Sequence, residues 1–159
     1  MELPTSEMPV PSDPARSLLR HAVATVRYRA NKSLRDADPA FGDFRIADTV
    51  RTPSEILSHI GDLFDWALRL SHGEPQWTEA KPLAWDEEVV RFHKVLDDFD
   101  ARLDSAEPIS APVERLMQGP VADALTHVGQ LATLRRLAGS PIKSENYFKA
   151  HIVPGPYVS

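Results

Sequence analysis

The sequence predicts an all-α protein, a four-helix bundle with long loops and an irregular C-terminal tail. Two observations lead to this prediction. Four segments carry apolar residues at spacings of three and four, as a helix with one buried face requires, and none of the 159 residues lies in a stretch with convincing strand alternation. Helix start and stop signals flank these segments, and four helices of such length are typical of a bundle.

The N-terminal residues 1–14 are rich in proline and predict an extended arm, whereas residues 15–159 are predicted to form one domain, the bundle with its tail. The first helix is predicted over about 15–33. Its apolar side is predicted to consist of Leu18, Leu19, Val23, Val26 and Tyr28.

The second helix begins at the clearest signal in the chain, the sequence TPSEI. Thr52 is the predicted N-cap, Pro53 occupies the first helical position and Glu55 follows the cap by three residues, which is the pattern of a capping box. We predict that this helix continues to about Ser71 and ends before the glycine and proline that follow.

The third helix is predicted over about 86–103 and the fourth over about 120–138, where a glycine and a proline follow. The fourth is apolar around most of its circumference, which predicts cover on several sides and a homodimer. The long connections before the second and third helices permit a crossover with parallel neighbours. The seam of the third helix is predicted to consist of Trp85, Val89, Phe92, Leu96, Phe99 and Leu103.

Composition excludes several classes of function. The chain has no cysteine, so it has no thiol nucleophile, disulfide or thiolate metal site of its own. A net charge of −5 without any basic cluster argues against a nucleic-acid partner. The N-terminal residues do not resemble a signal peptide and no apolar run is long enough for a membrane span, so we expect a cytoplasmic protein without a membrane partner.

Three polar residues fall on otherwise apolar helical faces. His59 lies within the apolar stripe of the second helix, and Asp123 and His127 share a face of the fourth. Side chains four residues apart have Cβ atoms about 5–6 Å apart, so two of them can converge on one metal ion. The ordinary alternatives stay open at this point: a surface Asp–His contact, or a hydrogen-bonded histidine in the core.

The sequence ADALTHVGQLATLRRLAG, together with a histidine near the start of the second helix, resembles the DinB/YfiT-like superfamily over about residues 15–140. The resemblance implies a four-helix bundle of up-down-down-up topology and a homodimer. It also implies a metal site of three histidines, for which His59 matches the first and His127 the last. Asp123 takes the place of the middle histidine, which leaves two histidines and one carboxylate as ligands for Zn, Ni, Fe or Mn.

Two functions from different classes follow. The first is a divalent-metal-dependent enzyme with an open three-ligand site, either a hydrolase or a transferase that uses an external low-molecular-weight thiol and a small-molecule substrate. The alternative is a non-catalytic, stress-associated dimeric bundle whose metal site has degenerated at Asp123.

Further polar residues are candidates for the surroundings of the site. Gln130, one turn beyond His127, can orient that ligand or bond to a neighbouring helix. His93 can point into the pocket or flank the seam of the third helix. Tyr147 lies in the sequence SENYFKAH, which is predicted to cover the end of the bundle that holds the site. Asp62 falls on the polar side of the second helix and is predicted to be solvated.

Overall fold

The computed structural model describes residues 13–158, and within that range the chain is helical with no strand. The long helices are α1 (Pro14–Leu34), α2 (Pro53–Ser71), α3 (Trp85–Asp104) and α5 (Ala122–Leu137), with the short α4 (Val113–Leu116) before the last. The all-α prediction is therefore confirmed. Most of the predicted arm, residues 1–12, lies outside the described residues; Asp13 and Pro14, its last two, are the N-cap and first residue of α1.

Local sequence signals explain where α1 and α2 begin. The Asp13 carboxylate accepts hydrogen bonds from the backbone N–H groups of Ala15 and Arg16. At α2 the Thr52 hydroxyl accepts from the Glu55 N–H, and the Glu55 carboxylate accepts from the Thr52 N–H at 2.7 Å. The predicted capping box is confirmed, and it fixes the helical phase of the residues that follow.

Side-chain contacts give the relative directions of the four long helices. Around the bundle the order is α1, α3, α2, α5. Helix α1 runs antiparallel to α3 and parallel to α5, and α2 runs parallel to α3 and antiparallel to α5. The direction of α1 against α3 follows from the hydrogen-bonded pairs Arg16–Leu103 and Arg27–Asp97, and that of α2 against α3 from Asp62–Arg91 and Ser71–Arg102. The direction of α1 against α5 follows from the hydrogen-bonded pair Ser33–Arg135 and from Leu18 and Met117, which line one cavity. The direction of α2 against α5 follows from two pairs that each line one cavity, Leu63 with Ala122 and Ile56 with Leu134.

The core lies along the predicted seams. On α3, Trp85, Phe92, Leu96, Phe99 and Leu103 are all buried. On α1, however, the prediction that Leu18 is buried is wrong, because its side chain is 70% exposed while Leu19, Val23 and Val26 are buried. Periodicity places Leu18 at the edge of the apolar stripe, and the neighbouring α4 region leaves most of its side chain uncovered.

The helical segment that contains α5 includes the residues before 120 and is not uniform. Helical backbone already starts at Val113, and a π-turn over Met117–Val121 joins α4 to α5. Pro120 lies inside this turn, where it has no N–H to donate and would clash with the preceding α-helical turn. The wider π-turn accommodates the proline, and π-turns of this kind are frequent at functional sites.

The loops and tail pack on the bundle surface. Within the first loop, Pro39–Asp43 forms a 3₁₀ turn whose Phe41 ring packs edge-to-face against Trp85, with ring centroids 5.3 Å apart. The tail after α5 is irregular apart from a 3₁₀ turn over Tyr147–Lys149, as predicted. Between residues 13 and 158, no helix has the length and apolar character that a membrane crossing requires.

Candidate metal centre

The structure brings His59, Asp123 and His127 together. His59 lies in the second turn of α2, and Asp123 and His127 lie in the first two turns of α5. The antiparallel packing of α2 against α5 places the second turn of α2 beside the first two turns of α5. The imidazole centroids of His59 and His127 are 4.7 Å apart, with the ring planes nearly perpendicular.

The Asp123 carboxylate lies between the two imidazoles and directs one oxygen to each. Its Oδ1 is 3.4 Å from His127 Nε2, and its Oδ2 is 3.6 Å from His59 Nε2. One potential ligand atom from each residue lies within 4.8 Å of the others. Ligand atoms that share a metal at about 2.0–2.2 Å lie roughly 3–3.5 Å apart, so this group could hold a metal ion after small side-chain movements.

Burial differs among the three side chains in a way that leaves one side of the group open. The His127 side chain is 12% exposed and that of His59 is 19% exposed, whereas Asp123 is 47% exposed. The imidazoles are therefore held by the protein, and the carboxylate faces the opening. A site with protein ligands on one side and solvent on the other is typical of catalytic metal centres rather than closed structural ones.

Gln130 orients the His127 imidazole. Its Oε1 lies 2.9 Å from His127 Nδ1, so the amide oxygen accepts a hydrogen bond when Nδ1 carries the proton. Nε2 is then unprotonated and directs its lone pair toward Asp123 and His59. Of the two alternatives for Gln130, the contact with His127 is the one that the structure contains.

Electrostatics favour the neutral form of His59. Burial lowers the pKa of this histidine below its usual value, and electrostatic interactions with the nearby Arg51 guanidinium and the His127 imidazole lower it further. The Asp123 carboxylate raises the pKa of His59, but by less than burial, Arg51 and His127 together lower it. A neutral imidazole is the form that binds metals, so His59 is available as a ligand down to a lower pH than an exposed histidine.

Two loops form the walls around the group. The Trp77 ring, from the loop between α2 and α3, packs edge-to-face against His59 at 5.8 Å and against Trp66 at 5.7 Å. A cleft of about 360 Å³ opens beside His59, and segments 45–51 and 79–82 line its sides. The sequence alone does not place Trp77 beside His59, since nothing in a loop sequence indicates which helix the loop covers.

The prediction that Asp62 is solvated is wrong. Its carboxylate is buried, and it accepts a hydrogen bond from Arg91 of α3 at 2.5 Å and from the backbone N–H of Ala80 at 3.2 Å. Gly61 makes room for the arginine, because a Cβ at this position would lie 2.9 Å from Arg91 Nη1. The pair thus ties α2 to α3 and holds the loop that carries Trp77 next to His59.

Two predicted pocket residues lie elsewhere. His93 stacks on Tyr157 of the tail, with ring centroids 3.6 Å apart and planes within 11°, and burial lowers its pKa to about 4. Tyr147 contacts α1, where its ring packs against Tyr28 and lies 4.1 Å from the Arg29 guanidinium. The sequence SENYFKAH therefore covers α1 and not the His–Asp–His group.

Comparisons with protein-family models, with curated proteins and with solved structures give no match for this chain.

Proposed function

We propose that this protein is a divalent-metal-dependent enzyme whose metal ligands are His59, Asp123 and His127, and that it acts as a hydrolase or as a transferase with an external thiol. The observation that carries the proposal is the convergence of three ligand atoms, from two helices, within 4.8 Å of one another. Two imidazoles and one carboxylate suit Zn, Ni, Fe or Mn.

The residues present fit such an ion in three respects. His127 is held by Gln130 with Nε2 directed into the group, His59 is kept neutral by its surroundings, and Asp123 offers one oxygen to each side. In metal-binding histidines generally, a hydrogen bond to the second ring nitrogen fixes the orientation of the imidazole. Three protein ligands leave room for a substrate atom.

A bound divalent ion would supply Lewis acidity, which polarises a substrate oxygen or sulfur and favours its deprotonated form. The protein itself would position the reactants. Trp77 shields His59 from solvent on one side, and the exposed Asp123 marks the side from which substrate enters. Because the chain contains no cysteine, any thiol in the reaction comes from a separate small molecule.

Membership of the DinB/YfiT-like superfamily, with up-down-down-up topology, is part of the same proposal. It is supported by the sequence ADALTHVGQLATLRRLAG and by the helix directions: α1 and α5 run one way, and α2 and α3 run the other.

A homodimer is proposed as well. Its support is an apolar depression between the start of α1 and the α4 region, where Leu18 is 70% exposed and Met117 is also exposed.

One observation favours the alternative, a non-catalytic, stress-associated dimer with a degenerate site. Distances of 3.4 and 3.6 Å between a carboxylate and two imidazoles are also those of ordinary ion pairs, and Asp123 is half exposed. On this alternative the group stabilises the contact between α2 and α5 and binds no ion.

Metal analysis decides between the two. We expect the full chain, purified without a histidine tag, to carry close to one divalent ion per chain by inductively coupled plasma mass spectrometry. His127→Ala should remove that ion and leave the circular dichroism spectrum nearly unchanged, with a melting temperature close to that of the chelator-treated wild type. The matched control is His21→Ala, an exposed histidine of α1 outside the group, which should keep the ion. A wild-type chain that neither contains an ion nor takes one up from Zn²⁺, Ni²⁺, Fe²⁺ or Mn²⁺ would refute the enzyme proposal.

A further inference from the structure

Arg51 separates two concave regions beside the His–Asp–His group. It lies immediately before Thr52, the N-cap of α2, and its side chain is exposed. On one side it lines the cleft that contains His59. On the other side it lines a groove of about 610 Å³ between the first loop and α5. The segment 49–51, which ends with Arg51, is therefore the wall that the two regions share.

The guanidinium of Arg51 is not engaged by the protein. Some other charged residues of the cleft are paired, Arg45 with Glu55 at 3.1 Å and Asp62 with Arg91 at 2.5 Å, whereas Asp48 and Glu79 make no ion pair within residues 13–158. Arg51 itself makes no ion pair and no side-chain hydrogen bond with any residue in 13–158. Its planar donors are free to bind a carboxylate or phosphate in a bidentate manner.

The groove beyond Arg51 has a mostly apolar surface and is open over Gly129. The walls include Ile46 from the loop and Leu137 from α5, and Leu137 is 56% exposed. On the floor lies Gly129, where an added Cβ would meet no atom within 4 Å. Gln130, which contacts His127, also lines the groove, so the groove begins next to the His–Asp–His group.

We propose that the ligand of this site is an amphipathic anion: its carboxylate or phosphate head pairs with Arg51, and its aliphatic chain lies in the groove over Gly129. We take this ligand to be the substrate of the enzyme, and in that one respect the inference rests on the proposed function. A free arginine at one end and aliphatic walls along the rest match the two halves of such a molecule. Burial of the chain contributes about 0.8 kcal/mol per CH₂ group, and the ion pair fixes its orientation.

The test uses the full chain, treated with chelator, and titration calorimetry with octanoate and octyl phosphate. We expect saturable binding of at least one of them, and much weaker binding of octanol, which lacks the charge, and of acetate, which lacks the chain. Arg51→Gln should weaken binding of the anion by about tenfold or more, the effect of losing a charge-assisted hydrogen bond. Arg136→Gln, an exposed arginine of α5 outside the groove, is the matched control and should bind like the wild type.

A second variant tests the groove independently of charge. Gly129→Leu should fill the floor and abolish binding of the chain, and Gly129→Ala, one methyl group, should weaken it while favouring the helix. The proposal is overturned if neither anion binds saturably, or if Arg51→Gln binds as tightly as the wild type. It is also overturned if no anion binds and Gly129→Leu converts a dimer into a monomer, because a second copy then covers the groove.

The outcomes separate this inference from the proposed function. A chain that binds octanoate or octyl phosphate but takes up no metal refutes the metal-dependent enzyme and keeps the anion site. A chain that takes up metal but binds neither anion refutes the anion site and keeps the metal centre.

Discussion

Gln130 Oε1 lies 2.9 Å from His127 Nδ1, one helical turn further along α5. The contact favours the tautomer that carries its proton on Nδ1, because the amide oxygen can only accept, and in that tautomer the unprotonated Nε2 faces Asp123 and His59. A residue three positions away on the same helix thus orients the imidazole that we propose as a metal ligand.

Replacing this amide should weaken metal binding without damage to the fold. We expect Gln130→Leu to reduce the affinity for Zn²⁺ by about 10–100-fold, the usual effect of removing a hydrogen bond to a ligating histidine. Titration calorimetry measures the change. Because Gln130 is exposed, the melting temperature should stay close to that of the wild type. Thr133→Val, on the same exposed face of α5, is the control, and an equal loss of affinity in both variants would contradict the role of Gln130.

Asp123→His should tighten zinc binding. The substitution creates a set of three imidazoles, and imidazole suits Zn²⁺ well. The replacement is sterically feasible because the Asp123 side chain is 47% exposed. A competition titration against a chromophoric chelator gives the change in dissociation constant. Zinc binding that is unchanged or weaker in Asp123→His would show that position 123 does not face the ion.

The buried pair of Asp62 and Arg91 should contribute strongly to stability. We expect Asp62→Ala to lower the free energy of unfolding by about 3 kcal/mol, because the mostly buried Arg91 loses its shortest ion pair and keeps only Glu88 at 3.7 Å and the Ser58 carbonyl at 3.1 Å. The matched control is Asp65→Ala, which removes the more exposed pair of Asp65 with Arg69 at 2.8 Å and should cost about 0.5 kcal/mol or less. Urea unfolding measures both. Equal effects of the two substitutions would contradict a special role for the buried pair.

Stability should fall on acidification because of His93. Burial lowers the pKa of His93 from 6.5 to about 4, so the unfolded chain takes up its proton at a higher pH than the folded one. The stabilising contribution of the neutral, buried ring is complete above about pH 6.5 and is lost as the pH falls toward 4. The maximum effect is about 3 kcal/mol. His93→Phe keeps an aromatic ring against Tyr157 and should flatten this part of the stability curve; a variant curve parallel to the wild type would exclude His93 as the cause.

The exposed apolar depression around Leu18 should form the dimer interface. We expect a dimer by light scattering at micromolar concentration, and a monomer for Leu18→Asp, because a charge there would be buried without a partner. Val90→Asp is the matched control, since Val90 on α3 is also a helical residue with 70% exposure. A wild-type monomer, or a Leu18→Asp variant that stays dimeric, would place the proposed interface in doubt.

Local chemistry determined much of the fold. The capping box of Thr52 and Glu55 needs only residues within one turn, so the start of α2 was predictable from sequence. The seam of α3 follows from a spacing that every helix shares. For the same reason Asp123 and His127 had to lie on one face, whatever the rest of the chain did.

Tertiary structure decided what each face meets. Periodicity shows which residues share a face, but the burial of that face depends on an element that is distant in sequence. Leu18 was predicted to be buried and is exposed, because the α4 region leaves most of its side chain uncovered; Asp62 was predicted to be solvated and is buried, because Arg91 of α3 reaches it past Gly61. The placement of Tyr147 on α1, away from the site, has the same origin.

The His–Asp–His group depends on both levels. The helical repeat alone brings Asp123 and His127 within reach of each other. The approach of His59 required α2 and α5 to be antiparallel neighbours, and Trp77 and Arg51 arrive from loops whose paths no local pattern specifies. Short-range hydrogen bonds and side-chain spacing act within one turn of helix, whereas the site consists of contacts between segments more than sixty residues apart, which only the packing of the whole bundle determines.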